Sequence, residues 1–158
     1  DWNVTHALIT IDMLAREHNM YHILDTYGRP RYVVYGYTGE TTLEGNYAEN
    51  YADITVVYTR DGKKAVRGGG TYKDVYYREK GALVHKEYTG ANSLNSAIYV
   101  SNGEFRYPFI GQSKFVVHIP PNLENSMLTS LALFNGENLE HFTLVYNNRQ
   151  IMIYEVNY

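Results

Sequence analysis

Residues 66–81 run VRGGGTYKDVYYREKG, and two structures compete for them. Three consecutive glycines followed by Thr71 and Lys73 contain the residue types of a phosphate-cradling loop. Such a loop sets its glycines between a strand and a helix, with Lys and Ser/Thr at fixed spacing, so that amides and helix dipole converge on the anion. Here the glycines lead into TYKDVYYRE, which is rich in tyrosine and has no helical face. Glycines beside such a pattern mark a bulge, a sharp corner or a close approach of backbones. The stretch is predicted to be a bend between strands.

Outward from that bend the period stays at two. Strands are predicted at 20–27, 31–38, 51–59, 82–89, 96–101, 114–119, 128–134, 141–146 and 150–156, besides 71–79 itself. Asp61-Gly62, Asn102-Gly103, Asn135-Gly136 and Asn147-Asn148 supply turn pairs. The segment HFTLVYNNRQIMIYEV reads as a terminal hairpin. Only residues 4–18 look different: Val4, Ala7, Leu8, Ile11, Leu14 and Ala15 recur at helical spacing behind a possible Asn3 cap, with Asp12 and Arg16 four apart. The expected fold is all-β, an antiparallel β-barrel preceded by one short N-terminal helix, with a β-sandwich or jelly roll as the alternative. Either arrangement hides the sheet edges.

Length and charge bound the remaining possibilities. A chain of 158 residues fits one domain, here 1–158, and buries about 70% of its unfolded surface. There are 14 basic against 17 acidic residues, a net charge of −3. The basic groups gather in 60–87, where 8 Lys/Arg stand among 4 Asp/Glu, an alternation that suits solvated strands better than a nucleic-acid footprint. Cysteine is absent, so disulfides and thiolate metal sites are excluded. No apolar run is long enough to span a bilayer as a helix. Asn3-Val4-Thr5 is a glycosylation sequon, usable in a secreted or extracytoplasmic protein.

Catalytic signatures are scarce. The histidines (His6, His18, His22, His85, His118, His141) show no metal-ligand spacing, so no metal and no cofactor is expected. No GxSxG elbow surrounds any serine. Asp53, Asp74 and Glu87 interrupt strand patterns and are the carboxylates worth naming. His118 falls on the face of Val116, opposite Phe115, Val117 and Ile119; His85 shares a face with Leu83 and Glu87. The compositional anomaly is tyrosine, 17 of 158 residues. Tyr35 and Tyr37 share one strand face, Tyr72 and Tyr76 share another with Asp74, and Tyr58 and Tyr99 lie on further strands. Pointed inward, they would line an aromatic cavity with hydroxyl tips.

The segment ALITIDMLAREHNMYHILDTYGRP, followed by a run of antiparallel strands, resembles the start of arthropod salivary lipocalins within the wider calycin barrels. That resemblance implies capture of a small ligand inside a barrel. The glycine–tryptophan signature and the cysteines of those proteins are absent here, and no functional residue is carried over.

These observations lead to one expectation and two alternatives. The first is a secreted barrel binding a small hydrophobic or amphipathic molecule through Tyr35, Tyr37, Tyr58, Tyr72, Asp74, Tyr76, Tyr99 and His118. The second is a barrel enzyme, a cyclase, isomerase or dehydratase, using an Asp/His pair. The third is a surface recognition or assembly module. A homodimer through tyrosine-rich faces is compatible with each. The first requires a continuous, unfilled interior.

Overall fold

The computed structural model describes residues 3–14 and 31–158. The strand expected at 20–27 lies outside the described residues. In chain order the elements are β1 (His6–Thr10), β2 (Val33–Gly36), β3 (Gly39–Leu43), β4 (Asn46–Tyr51), β5 (Ile54–Thr59), β6 (Gly62–Arg67), β7 (Gly70–Glu79), β8 (Ala82–Glu87), β9 (Ser93–Tyr107) and β10 (Gln112–Ile119). A 3-10 turn (Pro121–Leu123), the helix α1 (Met127–Leu133), β11 (Phe142–Asn147) and β12 (Ile151–Val156) complete the series. The mostly-β expectation therefore holds, with a curled half-barrel sheet at its centre.

Nine strands form that sheet, in the order β2-β10-β9-β7-β6-β5-β4-β3, with β8 also paired to β7. Its two end strands are consecutive in the chain, which forces the curl. Between them the Tyr37 amide donates to the Lys114 carbonyl on β10 (3.2 Å) and the Thr38 amide to the Asn50 carbonyl on β4 (2.9 Å). The glycine-rich bend sits at the β6–β7 corner, where Gly68 and Gly69 take φ of 54° and 83° at no steric cost. Gly70 answers a different need: a Cβ there would stand 2.7 Å from Leu94 Cδ2, so only glycine lets β9 approach so closely.

One pairing departs from the antiparallel expectation. β7 meets β6 only through Thr71 and Gly70, then pairs with β8 from Asp74 to Glu79, while β9 lies parallel along its other edge. β8 serves as the crossover that a parallel pair requires. The chain returns to the start of β7 through Tyr88 N–H donating to Lys73 O (2.7 Å) and Thr71 N–H donating to Asn92 O (2.9 Å).

Two segments reverse their expected type. Of the helix expected at 4–18, residues 6–10 instead form β1, paired from His6↔Glu155 to Thr10↔Ile151, while Met13 and Leu14 are helical and residues 15–18 lie outside the described residues. The terminal hairpin offers an open edge, and the β-branched Ile9 and Thr10 fit a ladder better than a helix. Conversely, 128–134 is helical. Ser126 caps α1 by accepting from the Thr129 amide (3.1 Å). Asn135 and Gly136 end it with positive φ, the Gly136 amide reaching Ser130 O (2.9 Å). Asn102-Gly103, expected to be a turn, lies inside the long β9.

Alternation along the central strands feeds two cores. Phe115, Val117 and Ile119 face a core shared with α1, Met152 and Tyr154. Val116, Ile98 and Val100 face the inside of the curl, with Tyr51, Ile54, Val56, Tyr72, Val75 and Tyr77, each exposed by 3% or less. The curl is filled with side chains.

Candidate functional site

β7 carries chemistry on both faces because its alternation changes phase. A register shift lies between Tyr72 and Asp74. Tyr72 therefore faces the curl with Val75 and Tyr77, while Asp74 and Tyr76 stand on the outer face. The expected single row of Tyr72, Asp74 and Tyr76 is broken at Lys73, since strict period two fails across an irregularity.

On the outer face, Asp74 is buried (8% exposed) and its Oδ1 lies 2.7 Å from His85 Nε2 on β8. Tyr76 stacks on the His85 ring (centroids 4.4 Å, 10° between planes) and donates its hydroxyl to Glu124 Oε1 (2.5 Å). Glu124 is the residue that closes the 3-10 turn after Pro120-Pro121. Burial, the Glu124 hydrogen bond, and the charges of Glu124, Asp74 and Glu87 push the Tyr76 hydroxyl far above its ordinary range. The ligating atoms of Asp74, His85 and Glu124 lie within 4.8 Å of one another.

A second carboxylate organises the mouth of the curl. Glu49, 2% exposed, accepts from Tyr51 (2.7 Å), Tyr58 (2.8 Å), Tyr47 (2.9 Å) and the Lys114 ammonium (2.9 Å). Burial works against its ionisation, yet the hydrogen bonds from Lys114, Tyr51, Tyr58 and Tyr47 outweigh it and hold the carboxyl at about 2. This is a satisfied buried charge, tying sheet ends together.

The eight residues singled out from sequence fall into three places. Tyr35, Tyr37, Tyr58, Tyr72 and His118 line or fill the curl. There Tyr35 lies under the Arg67 guanidinium (5.7 Å), Tyr37 packs edge-on to Tyr51 (5.8 Å), and His118 packs edge-on to Tyr72 (5.8 Å). Burial and then the Arg67 charge lower the His118 pKa. Tyr99 belongs to the other core, against Phe105 and Phe134. Asp74 and Tyr76 meet in the outer polar cluster, and Tyr58 also belongs to the Glu49 cluster. Glu49, Lys114 and Glu124 were missed. The alternation Tyr47-Ala48-Glu49-Asn50-Tyr51 was the one local signal for the second cluster.

No protein-family model matches the chain, and no curated protein sequence matches it. Among solved structures it is similar to the C-terminal domain of PglB from C. jejuni, with a TM-score of 0.55 and 13% identity, over 100% of this chain and 62% of that one. It is also similar to the C-terminal globular domain of an oligosaccharyltransferase from Pyrococcus abyssi, with a TM-score of 0.47 and 13% identity, over 98% of this chain and 37% of that one. The chain thus spans 62% of the PglB domain, and at this identity the likeness is one of fold. The likeness to the PglB domain overturns the expected lipocalin-like, small-molecule-binding barrel, and the filled curl supplies the physical reason: Tyr51, Tyr72 and Tyr77 are packed inside it, and Tyr51 and Tyr58 bond to Glu49. The chain shares the fold of the PglB C-terminal domain.

Proposed function

We propose that this chain is a globular domain of a glycan-transferring enzyme of the oligosaccharyltransferase type, placed on the extracytoplasmic side. The observation that carries the reading is the likeness to the PglB C-terminal domain over the whole of the chain. The filled interior supports it, since a domain packed in this way presents its faces and loops to the rest of an enzyme.

The test is genetic and chemical. The gene that encodes the chain is deleted in its native host, and oligosaccharide occupancy on the host's glycoproteins is read by mass spectrometry of intact proteins. Loss of the attached oligosaccharide, restored by the wild-type gene, is the expected result. Unchanged occupancy after deletion overturns the reading.

A further inference from the structure

β7, β8 and the turn after β10 bring together three ligand-type side chains that are 11 and 39 residues apart in sequence: Asp74, His85 and Glu124. We infer that they form a binding site for one divalent first-row transition ion of the Zn2+ or Mn2+ class. The inference is independent of the glycan-transfer reading.

Geometry comes first. Ligating atoms held about 2.0–2.3 Å from one ion stand roughly 3–4.5 Å from each other. The three groups here all fall within 4.8 Å, so a small shift of side chains completes the set. Two of them stand on paired strands of the central sheet, and the third follows a proline-stiffened turn. Strands hold a site more precisely than loops do.

The surroundings favour a cation. Glu87 is the ladder partner of Asp74, so a third carboxylate stands beside the pair of Asp74 and Glu124. The neighbouring Lys86 lies on the other face of β8, against Gly62. Arg78, two residues beyond Tyr76, is ion-paired with Glu137. One imidazole is the only group in the set able to offset that charge.

Tyr76 completes the arrangement without ligating. It orients His85 by stacking and Glu124 by hydrogen bonding, as outer groups orient metal ligands elsewhere. One nitrogen and two carboxylate oxygens select a transition ion over Mg2+ or Ca2+. An ion bound here would take the place of the direct contact between His85 Nε2 and Asp74 Oδ1, with the imidazole proton carried on Nδ1.

The experiment uses the full chain, stripped by chelator and titrated calorimetrically with ZnCl2 and with MnCl2. One ion per chain is expected, with affinity reduced at least about tenfold in His85→Ala and in Glu124→Gln and unchanged in His141→Ala. Circular dichroism checks that each variant is folded. A second readout needs no variant: trace Mn2+ should broaden the ring resonances of His85 before those of the other five histidines. Absence of a one-to-one site, an affinity unaffected in folded His85→Ala, or uniform broadening of all histidines overturns the assignment.

Discussion

The Lys114 ammonium on β10 donates to the Glu49 carboxylate on β4 at 2.9 Å, joining residues 65 positions apart across the mouth of the curled sheet. Beside it the backbone link from Thr38 to Asn50 closes the same gap. The polar contact is therefore part of what bends the sheet, and it accounts for several tyrosines that would otherwise look like a binding surface.

Truncation of Glu49 should be costly. Glu49→Ala takes the acceptor from the buried Tyr51 hydroxyl and the nearer carboxylate from the part-exposed Lys114 ammonium, and leaving a buried donor unsatisfied costs about 1–3 kcal/mol. Glu49→Gln preserves shape and should cost less. Urea unfolding, read as a fall in midpoint at constant slope, distinguishes the two.

Acid should act through the same residue. The folded pKa of Glu49 is depressed to about 2, so its contribution is present above the unfolded carboxylate range and is lost as pH falls from about 4.5 towards 2. The melting temperature of the wild type should drop across that window more steeply than that of Glu49→Gln. Parallel curves for the two proteins would show that Glu49 is not the group responsible.

Gly70 and Leu94 should be coupled. A methyl at Gly70 meets Leu94 Cδ2 at 2.7 Å and the Asn92 carbonyl oxygen at 3.3 Å, so Gly70→Ala is expected to destabilise by about 1–3 kcal/mol. In a Leu94→Ala background the same substitution should cost less, giving a coupling of roughly 0.5–3 kcal/mol in a double-mutant cycle. Simple additivity would place the two residues out of contact.

The cap of α1 offers a milder perturbation. Ser126 Oγ accepts the Thr129 amide and lies 2.8 Å from the Tyr32 hydroxyl, which is also bonded to Thr129 (2.7 Å). Ser126→Ala should cost about 1 kcal/mol. Ser126→Asp retains the acceptor and should recover much of it in the same unfolding assay.

Strands rich in tyrosine and β-branched residues were legible as a sequence. β7, β8, β10 and the β11–β12 hairpin fall where period-two alternation and turn pairs place them. β3 (GETTL) and β6 (GKKAVR) were not, because their polar residues carry little alternation of hydrophobicity and they acquire strand geometry from the neighbours they pair with. β1 and α1 exchanged types for opposite reasons: an open hairpin edge captured a helix-patterned stretch, and a serine cap captured a stretch that resembled a strand. In the outer cluster, Asp74 stood out as a charge inside a strand pattern, and His85 and Glu124 did not stand out as its companions. Separations of 11 and 39 residues carry no periodic signature, and only the packing of the turn after β10 onto the sheet brings them together.

Alternation, turn chemistry and the absence of cysteine were enough to establish a cysteine-free, mostly-β chain, because each is a property of neighbouring residues. Which face of a strand points inward was settled by the tertiary structure alone. The phase change beside Lys73 sends Tyr72 into the curl and Asp74 out of it, and the meeting of β4 with β10 turns a set of tyrosines into the partners of one buried glutamate. A local pattern specifies alternation, whereas its phase relative to the core depends on strand pairings made across tens of residues.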